Sequence, residues 1–362
     1  MSDYCITELR PDAQPEPGEF VRSAMRWHFS PDTGSPFWLR RATELPFDPL
    51  TDVREFEDLA LFPQLVDELR DVRVEDLMPR GLGPNVAGVY ESGGTTGAPK
   101  RVLFHHGWFE YALERLAEAV EAWRFPRNGN WLLVVPTGPH VVGEFFRRLA
   151  FRHGGIPLCV DMDPRWVKKL IVRGAAAETT AYLDHLVEQA VHVLETQNVE
   201  VLVTTPRVLE RLVLDDAVLK LVRRKIRSVL WTGAHMDADT RDLLRTYVLP
   251  ETALMGAYGS TMVLGASPER AGLPDNAPCI FDPPSPYTSF LVVDPATGRP
   301  VLHGERGQVV THHVSPYMLL PNNLERDTAV RVEGLRGQIG DSVADVAPLA
   351  AFGGEIVVEG VY

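Results

Sequence analysis

The spacing of apolar side chains divides the chain into three stretches. Through the first fifty residues, proline, aromatic and polar positions mix with little periodicity, which predicts a segment wrapping a core built by later parts of the chain. From about Glu55 the pattern becomes regular. Phe62, Leu65, Val66 and Leu69 fall at helical spacing, VAGVYESGG reads as a strand running into a glycine turn, and WFEYALERLAEAVEAW reads as a long helix. A strand (WLLVVP), a helix around Gly143 to Phe151, a strand (GIPLCVD) and a long amphipathic helix from about Ala177 to Thr196 follow. The run VEVLVTTP, the helix PRVLERLVL, the strand IRSVLWTG, the helix DADTRDLLRTYV and the strand TALMGAYG complete the alternation. Such alternation implies an α/β fold, a mostly parallel sheet with helices packed on its faces. After about residue 280, short strands (SFLVVD, GQVVTHHV, TAVRVEG, EIVVEGVY) separated by turn signals such as DPATGRP predict a smaller antiparallel sheet. The expected division is residues 1–280 as N-terminal wrap and β/α subdomains, and 281–362 as a small β subdomain.

Composition narrows the partners. With 362 residues, 45% of them hydrophobic and 23% charged, the chain has ample material for a buried core. Its net charge of −13 argues against the basic footprint that nucleic-acid binding needs, and favours a small molecule or a protein as partner. Cys5, Cys159 and Cys279 are too scattered for a disulfide framework or a zinc cluster, so they read as reduced. No stretch approaches the ~20 apolar residues of a membrane helix, and the N-terminus lacks a basic start followed by an apolar run. A cytoplasmic protein is expected, and nothing in the sequence sets its oligomeric state, a homodimer included.

The segment Ser92-Gly93-Gly94-Thr95-Thr96-Gly97-Ala98-Pro99-Lys100 carries the most chemistry. Glycines let backbone amides turn inward, hydroxyls add neutral donors and the lysine adds charge, a combination suited to a polyphosphate. By composition alone a plain glycine-threonine turn explains it equally well. Its order is neither GxxxxGK[ST] nor GxGxxG. It resembles the [ST]-G-[ST]-[ST]-G-x-P-K loop of the adenylate-forming (AMP-binding) superfamily.

Further landmarks of that superfamily occur in order. VVPTGPHVVG resembles its acid-pocket segment, which implies His140 and Gly143 near the substrate. LWTGAHMDADT resembles its adenine-contacting turn, implying that Gly233, Ala234 and His235 line the base. Ala257-Tyr258-Gly259-Ser260-Thr261-Met262 resembles the Y-G-x-T-E motif, in which the tyrosine packs on adenine, the threonine meets the α-phosphate and the glutamate helps to hold magnesium. Met262 stands at the glutamate's place, and a thioether is a poor partner for a hard cation. ATP is therefore the implied cofactor, with Mg2+ implied by the family but deprived of its usual carboxylate. For the ribose-binding aspartate the resemblance offers Asp327, in PNNLERDTAVRV, which is similar to the phenylacetate-CoA ligase branch; Asp341, in GQIGDSVADV, is the alternative and reads better as a turn cap. The chain ends at GEIVVEGVY, where the resemblance leads one to expect a hinge and a lid domain.

The resemblance implies that Lys100 and Thr261 act on the phosphates and that the acid sits near His140, Gly143, Ala257 and Met262, small or adaptable residues that admit a flat ring. It extends to a lid-less set of adenylate-forming proteins in phenazine antibiotic biosynthesis, which implies an aromatic acid and hand-over of the adenylate to a reductase or acyl acceptor. A nucleotide-binding subunit without catalysis, and a coenzyme A ligase served by a separate lid, are the alternatives. The pairs His105-His106 and His312-His313 read as structural, since strand neighbours point to opposite faces, and the run Arg223-Arg224-Lys225 reads as a solvated face.

Overall fold

Continuously apolar strands and mixed strands sort into two different sheets. The structure is a computed structural model describing residues 4–10, 13–65, 68–92, 99–261, 264–349, 351–352 and 355–356. Two helices, α1 (Pro17–Phe29) and α2 (Pro36–Arg41), precede a hairpin of β1 (Val86–Glu91) and β2 (Arg101–His105), which leads into α3 (His106–Ala122). The main sheet comprises β3 (Trp131–Val135), β4 (Pro157–Asp161), β5 (Val201–Thr204), β6 (Ser228–Thr232), β7 (Ala253–Ser260) and β8 (Gly265–Pro268) in the order β4-β3-β5-β6-β7-β8. Its strands are parallel except β8. The connections carry α4 (Val141–Arg152), α5 (Pro164–Val172), α6 (Ala176–Thr196), α7 (Pro206–Val213), α8 (Asp216–Lys225) and α9 (Ala238–Leu243). The second sheet is antiparallel, with β9 (Ile280–Phe281), β10 (Thr288–Val293), β11 (Arg306–Ser315), β12 (Met318–Val332) and β13 (Ser342–Pro348) in the order β10-β11-β12-β13-β9. A short pair, β14 (Ala351–Phe352) and β15 (Glu355–Ile356), follows.

The period of two in a strand explains why the central strands are apolar throughout. Trp131, Leu133, Val135, Val201, Val203 and Leu230 face a core shared with α3 and α4, while Leu132, Val134, Leu202, Val229 and Trp231 face one shared with α6, α7 and the antiparallel sheet. Both faces are therefore dry.

Several expectations change. The stretch from Glu55 is not a regular helix but two 3-10 turns, Phe56–Leu61 and Glu68–Arg70, because Pro63 interrupts the run; Phe62, Leu65 and Leu69 are buried all the same, and Val66 lies outside the described residues. The first fifty residues do pack around later segments, but as helices. Pro17 and Pro36 occupy first-turn positions, Glu16 accepts from the amides of Gly18 and Glu19, and Ser35 accepts from that of Trp38. From these helices Trp27 Nε1 donates to Pro316 O at 2.9 Å, Trp38 Nε1 to Leu319 O at 2.8 Å and His28 Nε2 to Ser315 O at 2.7 Å. Asp163 and Pro164 start α5, which the sequence reading passed over. The basic run is not merely a solvated face: Arg223 Nε donates to Val248 O at 2.8 Å and Lys225 Nζ to Gln197 O at 2.8 Å, tying down two chain ends. MLLPNNLERD belongs to the long strand β12, after a turn at Pro316 and Tyr317, and Pro321 is tolerated there because it sits with Asn322 in a bulge opposite His312. Of EIVVEGVY only Glu355–Ile356 is described.

The adjacent histidines are structural. His105 Nδ1 caps α3 by accepting from Gly107 N at 3.0 Å, His312 Nδ1 accepts from Asn322 N at 3.0 Å, and His313 Nε2 bonds Ser315 Oγ at 2.7 Å. Burial pushes His28 down to about 4 and His312 to about 3. Each stays neutral in the fold, whereas the unfolded chain takes up a proton near pH 6.5, so this stability is whole above that pH and falls as pH drops toward the folded values. Denaturant unfolding at pH 7 and pH 5 should show a loss of about 2 kcal/mol per histidine, and His28→Gln should shrink the difference.

Beneath β7 lies a buried ion cluster. Glu269 Oε1 accepts from Arg241 Nη1 and Arg245 Nη2, both at 2.9 Å, and Oε2 accepts from the amide of Gly256 at 2.8 Å. Glu269→Gln leaves two buried guanidinium groups short of a counter-charge and should cost about 3–5 kcal/mol in chemical denaturation. Glu75→Gln, at the exposed pair with Arg73, should cost under about 1 kcal/mol; equal losses would contradict the assignment.

Candidate functional site

Ligands of α/β proteins bind at the carboxyl ends of parallel strands, and among the described residues His140, Gly233, Ala234, Ser260 and Thr261 follow or end such strands here. The first wall is the β1–β2 hairpin. Ser92 N donates to Lys100 O at 2.9 Å and Lys100 N to Ser92 Oγ at 3.0 Å, so both ends of the glycine-threonine loop are closed on each other. One residue further out, Glu91 pairs with Arg101 at 3.0 Å and with Arg165 of α5 at 2.8 Å. Gly93, Gly94, Thr95, Thr96 and Gly97 lie outside the described residues.

After β3 the chain turns at residues 136–140 into α4. Glu91 N donates to Pro139 O at 2.8 Å, which draws this turn to the hairpin. His140 is buried here, and burial, aided by the nearby charge of Arg165, holds its pKa below the usual value, so it is neutral. Gly143 is required by packing rather than by an open pocket, since a Cβ there would stand 2.7 Å from Pro136 O.

Strands β6 and β7 supply the next wall. Gly233 takes φ +83°, which turns the chain sharply after Thr232. Thr232 Oγ1 donates to Ala257 O at 2.8 Å, holding the two strand ends in register, and His235 Nδ1 donates to Val346 O at 2.6 Å. Ala234 is half-buried between them and Ala257 is fully buried. Gly259 allows β8 to approach, for a Cβ would lie 2.5 Å from Gly265 O. Ser260 and Thr261 end the strand at the crevice, both partly buried, and Met262 lies outside the described residues.

The antiparallel sheet closes the site through an irregularity. Gln308 pairs with Thr328 and Val310 with Leu324, so one residue of β11 faces three of β12. This bulge takes Glu325, Arg326 and Asp327 out of pairing with β11, while Asp327 stays paired with Pro348 of β13. Tyr258, packed against Phe281 and Phe290, donates its hydroxyl to Asp327 Oδ2 at 2.9 Å. Burial and the negative charges of Asp327 and Glu325 keep that phenol protonated far above its ordinary range. Two residues distant in sequence and assigned to adenine and ribose are thus in direct contact. Asp341 is placed otherwise: it accepts from Arg331 Nε at 2.8 Å and from His303 Nε2 at 3.4 Å, which makes it a structural anchor.

Sequence reasoning overlooked Glu325. Its Oε1 accepts from Thr311 Oγ1 at 2.8 Å and its carbonyl from Gln308 Nε2 at 2.8 Å. Burial and the adjoining Asp327 push its carboxyl up to about 7, against the opposing pull of the Thr311 bond and of the Arg326 and Lys100 charges. The only available signal was an acid two positions before the candidate aspartate, on the same face of a strand. Among the described residues no group of three or more His, Cys, Asp or Glu side chains gathers to hold a metal, and no helix is long and apolar enough to cross a membrane.

Gly233, Tyr258, Asp327 and Lys100 are among the described residues for which the sequence resemblance implies a nucleotide. Comparison with known proteins bears on that reading. No curated protein sequence matches the chain. Among solved structures, 2-hydroxyisobutyryl-CoA ligase in an open conformation superposes with a TM-score of 0.63 at 15% identity, over 98% of this chain and 84% of that one. The same ligase in the postadenylation state gives 0.63 and 15% over 97% and 75%. At such identity the likeness shows the fold. The family follows from the sequence itself: the model of the AMP-binding enzymes matches residues 78–318, and the chain belongs to that family of adenylate-forming ligases.

Proposed function

We propose that the protein uses ATP to activate an aromatic carboxylic acid as its acyl-adenylate, and that a reductase or an acyl acceptor takes the product onward, as in phenazine-type antibiotic biosynthesis. The observation that carries the nucleotide part is the Tyr258–Asp327 contact at 2.9 Å. Aromatic specificity and the pathway rest on the sequence resemblance around PNNLERD and on the small side chain of Ala257.

In the reaction a carboxylate oxygen attacks the α-phosphorus of ATP, the bond to the β-phosphate oxygen breaks, and pyrophosphate leaves. Both reactants are anions, so the protein's task is to position them and to spread charge over donors. In our reading Gly233, Ala234 and His235 line the adenine against Tyr258, and Asp327 accepts from the ribose hydroxyls. Ser92 to Lys100 cradle the β- and γ-phosphates, with Gly259, Ser260 and Thr261 at the α-phosphate. The acid lies between His140, Gly143, Ala257 and Met262. A neutral His140 can donate one hydrogen bond to it without drawing it into a salt bridge.

Mg2+ is commonly held by one or two carboxylates together with substrate phosphates rather than by an all-protein cage. Glu325 and Asp327, each with one oxygen engaged by Thr311 or Tyr258, are the carboxylates that would hold it, and no group of three or more ligand side chains gathers among the described residues. The ion would supply charge neutralisation on the phosphates. A thiol acceptor such as the coenzyme A bound by 2-hydroxyisobutyryl-CoA ligase is the second acceptor class to test.

Acid-dependent exchange of labelled pyrophosphate into ATP tests the proposal over benzoates, phenazine carboxylates and fatty acids. Exchange with an aromatic acid, lowered at least 100-fold by Thr261→Ala, is the expected outcome. ATP binding without exchange for any acid would leave a nucleotide-binding subunit instead. Asp327→Ala should weaken ATP binding at least tenfold in calorimetry, in addition to the stability lost with the Tyr258 hydrogen bond. Asp341→Asn should lower the unfolding midpoint and leave ATP affinity within about threefold, because its lost partner is Arg331. The reverse pattern would move the ribose contact to Asp341.

A further inference from the structure

The β1–β2 hairpin that carries the candidate phosphate loop belongs to neither large sheet. Apolar packing sets its height: Tyr90 and Phe104 lie against Phe109 of α3, and Phe104 also against Phe145 of α4. Such packing is non-directional, so polar contacts fix where the open end of the hairpin points. Glu91, the last residue of β1, supplies three. Its Oε1 accepts at 3.0 Å from Nε of Arg101, its cross-strand partner on the other side of the loop, and its Oε2 accepts from Arg165 Nη1 of α5 at 2.8 Å. Its amide donates to Pro139 O at 2.8 Å, in the turn that leads to His140. Two further links close a ring. Asp161 at the end of β4 accepts from the amide of Thr137 at 3.0 Å and from its hydroxyl, which holds that turn. Asp163 accepts from the amides of Arg165 and Trp166, which sets the start of α5. Hairpin, turn, β4 and α5 are thereby joined in one circuit that passes through Glu91. The two arginine side chains are 55% and 41% exposed, and ion pairs so open to solvent contribute little to folding.

We propose that Glu91 is a positioning residue for adenylation: it holds the neck of the phosphate loop, Ser92 and Lys100, against the turn bearing His140, and so fixes the separation of ATP and the acid. The inference rests on the function proposed above and assigns a residue that none of the family-like segments contains. Glu91 acts through Pro139, Arg101 and Arg165 rather than by touching a substrate. Its effect therefore falls on the step that needs both substrates at once, because a misplacement of about 1 Å between reacting groups can cost on the order of 100-fold in rate.

The test is steady-state pyrophosphate exchange with the acid that supports it in wild type, together with calorimetry of ATP alone. Wild-type protein, Glu91→Gln, Arg165→Gln and the double variant are compared. Glu91→Gln should lower kcat at least tenfold, with KM for ATP, KM for the acid and Kd for ATP each within about threefold of wild type and the unfolding midpoint nearly unchanged. Arg165→Gln should lower kcat at least threefold, and the double variant should be no slower than Glu91→Gln, since both substitutions remove the same link. A wild-type kcat in Glu91→Gln overturns the inference. So does a loss that falls equally on ATP affinity and kcat, which marks a general structural effect, or losses that multiply in the double variant, which mark two independent ones. Should Glu91→Gln not fold, Arg165→Gln carries the test, and an undiminished kcat there overturns the inference. Wild-type protein that exchanges pyrophosphate with no acid overturns the functional reading, and the inference with it.

Discussion

The hydrogen bond between Tyr258 and Asp327 joins the two sheets at the point where the site forms. Tyr258 belongs to the parallel sheet and Asp327 to the antiparallel one, at the place where β12 leaves its pairing with β11 opposite Val309 and keeps its pairing with β13. Glu325 lies in the same bulge. The buried phenol and the carboxylate hold each other at 2.9 Å, and in the function proposed above they meet the base and the ribose of the nucleotide.

The rest of the structure steadies this contact. Glu269 takes the amide of Gly256, two residues before Tyr258, and is itself gripped by Arg241 and Arg245. Thr232 fixes the end of β6 against that of β7. A second, smaller bulge at Asp345 and Val346 in β13 presents the Val346 carbonyl to His235, so the turn after β6 is tied to the antiparallel sheet as well. The N-terminal helices brace the β11–β12 turn from outside through Trp27, His28 and Trp38. The site is thus built on strand ends, which are more rigid than free loops.

Much of the parallel sheet was legible in the sequence, because fully buried strands such as WLLVV and SVLWT carry continuous apolar runs and helices with capping residues separate them. The two N-terminal helices were not recognised, although Phe20, Val21, Ala24 and Met25 repeat at helical spacing, since proline and glycine at their starts resemble loop signals. At the site, Tyr258 and Asp327 could be named from motif order, but their contact could not. It depends on a bulge, and a bulge leaves no mark in a periodic pattern beyond one break in alternation. Glu325 escaped for the same reason. The choice between Asp327 and Asp341 was also geometric, for both sit beside plausible turn residues and only packing shows Asp341 engaged by Arg331.

The most direct measurement is a crystal structure of the protein with AMP bound. The account predicts adenine between the turn at Gly233 and the ring of Tyr258, with both ribose hydroxyls donating to Asp327. AMP bound with its base away from Tyr258 and its ribose away from Asp327, for instance deep in the cavity of about 280 Å3 that His235 shares with Met236, Arg241 and Cys279, would contradict it.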